Sequence, residues 1–479
     1  MGFLNELLEI GRLSPERTAI RYGKKNITYN ELSNQLKSVA LQVSYHHPPQ
    51  TRISFACKPS LESVALALGL MYAGNILIIL DTTLPTEVFR HQVEETETTV
   101  IVADPGFYLA SKTRSLLRLL NKQPVADISA AANVEKAVFD MSLHGWKRWL
   151  NYSSISSRYE NVTDPELPAV IMYTMGGDEP PKAITHTRKT LSANMDCVVP
   201  QLDVQPGATV FTENMVVGVT ALAKGATWVI PDSNDVPETD LWFTTPSDAL
   251  KSLDNGSVGK VKHVALTSAT TTPSVVLELS RKLGPTTKLS SVYTTTEMFP
   301  IAVGDARRKP EFLEVGDYVG QIVGETETRI VNGELWVKGQ GVAKPLHMPD
   351  EEWIKTGDHA NLTDEGNLIL KGKHSDIILR DTLPIYPAGH EAAITLIPGV
   401  REAVLTQHPN GTVILALTAT PGYNLDAVVR KVKGLTTKTL PSEAVPDQVI
   451  GFSQFPVTGP ASRWDRASII SKVINGANV

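Results

Sequence analysis

Cysteine is almost absent from this 479-residue chain: Cys57 and Cys197 are the only two. Two thiols cannot staple a chain of this size, so both are read as buried apolar residues kept reduced. No H-E-x-x-H or paired C-x-x-C spacing occurs, which excludes the zinc chemistries those spacings serve. Long Lys/Arg runs are missing and the net charge is −6; nothing here would attract nucleic acid or an anionic lipid surface. No apolar stretch reaches membrane-spanning length. The start, Met1 to Ile10, has the pattern of a short amphipathic helix without the basic start and apolar run of a signal peptide. Gly2 lacks the Ser or Thr at position 6 of a myristoylation signal. The expectation is a cytoplasmic protein with no nucleic-acid partner and no membrane insertion.

What is present fits a globular chain of two or three domains, with 42% hydrophobic and 20% charged residues. Strand-like runs alternate with helical stretches. Ala19–Tyr22 and Asn26–Tyr29 suggest a hairpin around Gly23, with a helix from Glu31. Compact β-rich runs at 52–57, 76–80 and 99–103 carry helical stretches between them, the rhythm of parallel βαβ units. Residues 105–165 are less regular, with Trp146 and Trp149 on a helix. Alternation resumes at 169–173, 228–231 and 263–267. Leu335–Lys338 and Asn367–Lys371 read as antiparallel strands, with turns at Asn332-Gly333 and Glu365-Gly366. The last 105 or so residues form an α+β unit: a helix at 389–396, a strand at 403–406, a turn at Asn410-Gly411, a strand at 412–417 and a helix at 425–432. The fold class is therefore α/β. A large N-terminal αβαβα-type domain with an added antiparallel β subdomain, 1–373, precedes a small mobile α+β domain, 374–479.

Two stretches carry chemistry. In Trp353-Ile-Lys-Thr-Gly-Asp358 an acid follows Thr-Gly, and Lys373 stands at the mouth of the next segment. A carboxylate can take both ribose hydroxyls while a cation closes over it. In Tyr293-Thr-Thr-Thr-Glu297 an aromatic can cover an adenine, the hydroxyls of Thr294, Thr295 and Thr296 can meet an α-phosphate, and Glu297 offers the hard oxygen that Mg²⁺ requires.

These stretches, with Thr28-Tyr-Asn-Glu-Leu32 and Ala73-Gly-Asn-Ile-Leu-Ile-Ile-Leu-Asp81, occur in the order of the adenylate-forming superfamily. That superfamily comprises acyl-CoA synthetases, peptide-synthetase adenylation domains and luciferases, and the chain resembles it over nearly its whole length. The resemblance implies an AMP site of Tyr293, Thr296, Glu297 and Asp358, with Mg²⁺ and ATP or AMP as cofactors. It further implies a carboxylate or acyl donor, and CoA, a carrier protein or an amine as acceptor. The acyl pocket is expected near 211–218 and 263–271, with His186 either structural or pocket-facing.

Several positions depart from the family pattern. Its phosphate loop matches Ile171 to Ile184 without a gap, keeping Thr174, Gly176, Pro181 and Lys182. Hydroxyl positions become Met175, Gly177 and Asp178, and a glycine becomes Glu179. An acid about 4 Å from a phosphate, at an effective dielectric near 20, is repelled by roughly 4 kcal/mol, about a thousandfold in affinity. Either Asp178 serves as a further Mg²⁺ ligand, or the acids turn to solvent, or the triphosphate site is lost. In Phe455 to Arg466 the family lysine is Arg463 if Asp465-Arg466 sets the register with one residue inserted, and Ser462 otherwise. Arginine's planar fork does not replace a compact ammonium. At the junction Lys373 replaces an arginine and Thr382 a glycine that helps the thiol attack. Three outcomes stay open: an atypical acyl-adenylate-forming ligase of a specialised biosynthetic pathway, an acyltransferase that needs no ATP, and a degenerate binding protein.

Overall fold

The computed structural model describes residues 2–81, 84–112, 126–127, 162, 164–174, 180–348, 351–380, 383–458 and 463–474. Trp146, Trp149, Gly176, Gly177, Asp178, Glu179, Thr382 and Ser462 lie outside the described residues. The fold is mixed α/β, with a large sheet-rich N-terminal part and a smaller C-terminal sheet part. Two compact units emerge: 1–232 with 296–298 and 340–351, and 233–295 with 299–339 and 352–479. The expected boundary at 373/374 falls inside the second unit, between the strand Asn367–Lys373 and the turn His374–Asp376.

In the first unit, Val100–Ala103, Arg52–Ala56, Ile76–Ile79 and Pro168–Tyr173 form a parallel core. The helices Leu61–Tyr72 and Thr86–Glu95 supply the crossovers, as the alternating pattern predicts. Ala183–Thr187 and Lys344–Pro345 extend the sheet in antiparallel fashion. A second group joins Thr209–Phe211, Thr227–Ile230, Thr18–Tyr22 and Lys25–Thr28. The helix expected from Glu31 begins two residues earlier, at Tyr29. Thr28 Oγ1 accepts from Glu31 N at 3.2 Å while Glu31 Oε2 accepts from Thr28 N at 2.8 Å, a reciprocal cap that starts the helix right after Thr28. Trp228 is fully buried, and a Cβ on Gly218 would meet its indole at 2.2 Å, so only glycine permits that approach.

In the second unit, Thr239–Thr244, Val261–Thr267 and Lys288–Tyr293 run parallel. Ala302–Asp305, Asp317–Ile322, Asn367–Lys373, Ile354–Leu362, Glu334–Lys338 and Glu327–Val331 then continue antiparallel, in that order. Asn332 and Gly333 have φ of 51° and 82°, the left-handed pair a two-residue hairpin loop demands. Towards the C-terminus, Val400–Gln407, Val413–Ala419 and Gln448–Gly451 form a three-stranded sheet packed by Pro387–Thr395 and Leu425–Thr439. That last helix runs to Thr439 rather than the expected Val432. Thr436 is buried one turn beyond Val432, so the inward face continues until Pro441 approaches.

The two cysteines are half-buried rather than buried. Burial, with Asp104 nearby, still pushes the Cys57 thiol well above its usual range. Among the described residues, no helix is long and apolar enough to cross a membrane.

Candidate functional site

Asp358 sits on Ile354–Leu362 directly opposite Lys373 in the antiparallel register with Asn367–Lys373. That register brings Lys373 Nζ to 3.1 Å from Asp358 Oδ1. Tyr293 ends the strand Lys288–Tyr293, and its hydroxyl donates to Asp358 Oδ2 at 2.7 Å. Both residues are nearly covered, Tyr293 8% and Asp358 7% exposed. Gly357, at φ 72°, turns the chain just before the acid, and nothing lies within 4 Å of where its Cβ would be. Backbone conformation, not space, therefore requires glycine there. Thr356 Oγ1 accepts from Asp358 N at 3.2 Å and donates to Leu335 O at 2.9 Å, tying the turn to the next strand. Thr294 Oγ1 lies 3.5 Å from Thr267 Oγ1, and Thr295 is half-buried.

Each oxygen of Asp358 thus holds one donor and keeps a lone pair for a second. The arrangement is a pre-set acid flanked by a ring and a cation, able to take two hydroxyl hydrogens.

Thr296 and Glu297 belong to the first unit. Thr296 O takes a hydrogen bond from His186 Nε2 at 2.8 Å, and Glu297 O takes one from Ala343 N at 2.7 Å. The main chain under both residues is therefore pinned, with the Glu297 side chain nearly buried. His186 is buried on Ala183–Thr187. Because a carbonyl can only accept, Nε2 carries the proton, and burial pushes this imidazole down to about 4. It is a neutral anchor for the main chain of Thr296, a job that its position in the sequence does not announce. Thr174 and Lys182 pair with each other: Thr174 N donates to Lys182 O and Lys182 N to Thr174 Oγ1, both at 2.9 Å. Among the described residues, no three His, Cys, Asp or Glu are grouped to hold a metal ion.

Arg463 lies opposite Thr458 in the short ladder Val457–Thr458 with Arg463–Trp464. Arg466 begins the helix Arg466–Ile474 and locks it down: Nη1 is 2.7 Å from the buried Glu391 and 2.8 Å from Leu405 O. Burial opposes charge on Arg466, but Glu391 and Asp376 outweigh it and raise its pKa. Glu391 also accepts from Leu405 N at 2.8 Å, tying the helix Pro387–Thr395 to the strand Val400–Gln407. Phe211 is buried and Glu213 exposed in the first unit; His263, in the second, is buried 2.8 Å from Ser290 Oγ.

Residues 9–347 match the family described as AMP-binding enzyme, and the chain belongs to it. It is 22% identical over 75% of its length to the hybrid PKS-NRPs synthetase opdA of Penicillium oxalicum, covering 10% of that much longer protein. The structure of the amide bond synthetase McbA from Marinactinospora thermotolerans superposes with a TM-score of 0.79 at 18% identity, covering 98% of this chain and 99% of McbA. The o-succinylbenzoate coenzyme A synthetase MenE of Bacillus subtilis, solved with ATP and magnesium, gives 0.75 at 17% identity, covering 95% and 96%. At these identities the likeness to solved structures establishes the fold.

Proposed function

We propose that this chain is an atypical adenylate-forming ligase that activates a carboxylic acid, or transfers its acyl group, through an acyl-AMP in a specialised biosynthetic pathway. The observation that carries this is Asp358, held from both sides by Tyr293 and Lys373 with lone pairs to spare. In this role Asp358 takes the ribose hydroxyl hydrogens, the Tyr293 ring covers the adenine, and Thr294, Thr295 and Thr296 address the α-phosphate. Lys182, Thr174, Gly176 and Gly177 address the other phosphates, and Arg463 reaches for the reacting carboxylate. Residues 374–479 act as the smaller domain that brings Arg463.

Magnesium fits the donor set. It commonly takes one or two carboxylates and completes its shell with phosphate and water oxygens, so a lone pinned Glu297 suffices. Bound there, it would neutralise phosphate charge. The acceptor is CoA, a carrier protein or an amine.

Calorimetry with a non-hydrolysable acyl-adenylate tests the proposal; no heat of binding would refute it. A second reading, an ATP-independent acyltransferase or a binding protein, is favoured by the missing lysine at Ser462 and Arg463. Pyrophosphate exchange over a panel of carboxylic acids separates the two: robust exchange eliminates the second.

A further inference from the structure

His359 and His374 form a pair that the acyl-AMP chemistry does not use. His359 follows Asp358 on Ile354–Leu362, and His374 follows Lys373 at the start of the turn His374–Asp376. Their rings stack with centroids 5.2 Å apart and planes 25° apart, and His359 Nε2 lies 3.0 Å from His374 Nδ1. His359 is buried. Its other nitrogen, Nδ1, has no hydrogen-bond partner and faces Gly333, whose Cβ, if it had one, would stand 2.8 Å away.

These contacts select one protonation state. Two imidazole nitrogens at this distance need one proton between them. With His359 Nε2–H as donor, the buried Nδ1 keeps only a lone pair. The reverse assignment would leave an orphan N–H there, the worse of the two. A proton added to the pair then has no good place. On His374 Nδ1 it meets the Nε2–H head on, or drives the His359 proton to Nδ1. On His359 Nδ1 it makes a buried charged donor with nothing to accept it.

The surrounding charges divide. His374 and Lys371 oppose charge on His359, while Glu334, opposite it in the register, and Asp358 favour it. The Tyr386 ring lies 5.6 Å from His359 and 5.1 Å from the Lys371 ammonium. Burial comes first among these influences, His374 second, and together they hold the His359 imidazole below its usual range.

The histidine pair and the Asp358–Lys373 pair are next to each other on the same two chain segments. We infer that the His359–His374 hydrogen bond is an acid-released latch that positions Lys373 against Asp358. As regulation of the AMP site it rests on the function proposed above, while the latch itself stands on the ring geometry.

The test uses the full chain between about pH 8 and about pH 5, where histidines change charge. Three readouts are followed: ¹⁵N-histidine NMR, amide exchange at 372–378 corrected for its intrinsic pH dependence, and AMP affinity by calorimetry. The expected result is an Nε2–H tautomer for His359 at high pH. On acidification exchange should then rise several-fold and AMP affinity fall in step, with 317–322 unchanged. His374→Asn keeps a carboxamide acceptor near the place of Nδ1 but takes no second proton, so its exchange and affinity should stay flat. His359→Leu should exchange fast at every pH. An Nδ1–H tautomer for His359, or a His374→Asn variant that follows the wild-type pH profile, would overturn the latch. Exchange that tracks the histidines in a chain that never binds AMP supports the latch and sinks the AMP site. AMP binding with pH-independent affinity and exchange sinks the latch and leaves the site.

Discussion

The hydroxyl of Tyr293 donates a 2.7 Å hydrogen bond to Asp358, 65 residues further along the chain. Lys373 holds the other carboxylate oxygen at 3.1 Å. The acid is therefore oriented before any ligand arrives, which lowers the ordering cost of binding. Replacing Asp358 with Asn removes a charge-assisted pair of acceptors. Affinity for an acyl-adenylate analogue should fall ten- to a hundredfold, about 1.5–3 kcal/mol. Tyr293→Phe keeps the ring and loses only the donor to Asp358, so its effect should be near fivefold, about 1 kcal/mol. Calorimetry on the two variants reads both, and equal affinities in all three proteins would place the ribose grip elsewhere.

His186 makes stability depend on pH. Its folded pKa, about 4, lies below the ordinary histidine value. Its contribution is therefore complete above about pH 6.5 and is lost as the pH falls towards the folded value, because the unfolded chain binds the proton first. The full swing is about 3 kcal/mol. His186→Gln retains a donor for Thr296 O but no titration. Urea unfolding should show the stability gap between wild type and variant shrinking by about that amount between about pH 7 and about pH 4. A constant gap would mean that His186 is charged, or wet, in the folded chain.

The strands were the most legible part of this chain. Ile76–Ile79, Val100–Ala103 and Pro168–Tyr173 are short β-rich runs with turn or helix signals at their ends, and such runs have few alternatives. Asp358 and Lys373 were legible for a similar reason: Glu365-Gly366 marks the hairpin that sets them face to face. Thr356 could have been found from Thr-Gly-Asp, since its hydroxyl caps the turn that the glycine makes. The partner of His186 and the pairing of His359 with His374 were not legible. A histidine's work depends on which nitrogen meets which partner, and those partners lie 110 and 15 residues away.

The half-buried Arg466 and the buried Glu391 form an ion pair that closes the C-terminal sheet onto its last helix. Arg466→Met would leave Glu391 buried among Leu405, Asp376 and apolar neighbours without its cation. Breaking such a pair from one side costs about 3–5 kcal/mol. Urea unfolding should register that loss. Burial already raises the Glu391 carboxyl, with Arg466 opposing the rise. Removing Arg466 should lift it further, so the variant should recover part of its stability in mild acid as Glu391 takes a proton. A variant as stable as the wild type would show that solvent already screens the pair.

In the function proposed above, Arg463 is the residue on which the ATP half-reaction turns. It lies opposite Thr458, and Val457 pairs with Trp464. On the far side Asp465 accepts from Ser468 N at 2.9 Å and Arg466 is locked by Glu391, so the chain is anchored immediately after Trp464. An insertion placed before Arg463 leaves Arg463 at its distance from that anchor. Counting back from Asp465-Arg466 is therefore the favoured register. In that register Arg463→Lys restores the compact ammonium that arginine does not imitate, and one charge-assisted hydrogen bond is worth about 1.5–3 kcal/mol. Pyrophosphate exchange should rise ten- to a hundredfold in Arg463→Lys and stay at the wild-type level in Ser462→Lys. The opposite ranking would mean that Ser462 holds the family lysine's position. Exchange absent from both variants, with AMP still bound, would identify a fold that has kept its nucleotide grip and given up adenylation.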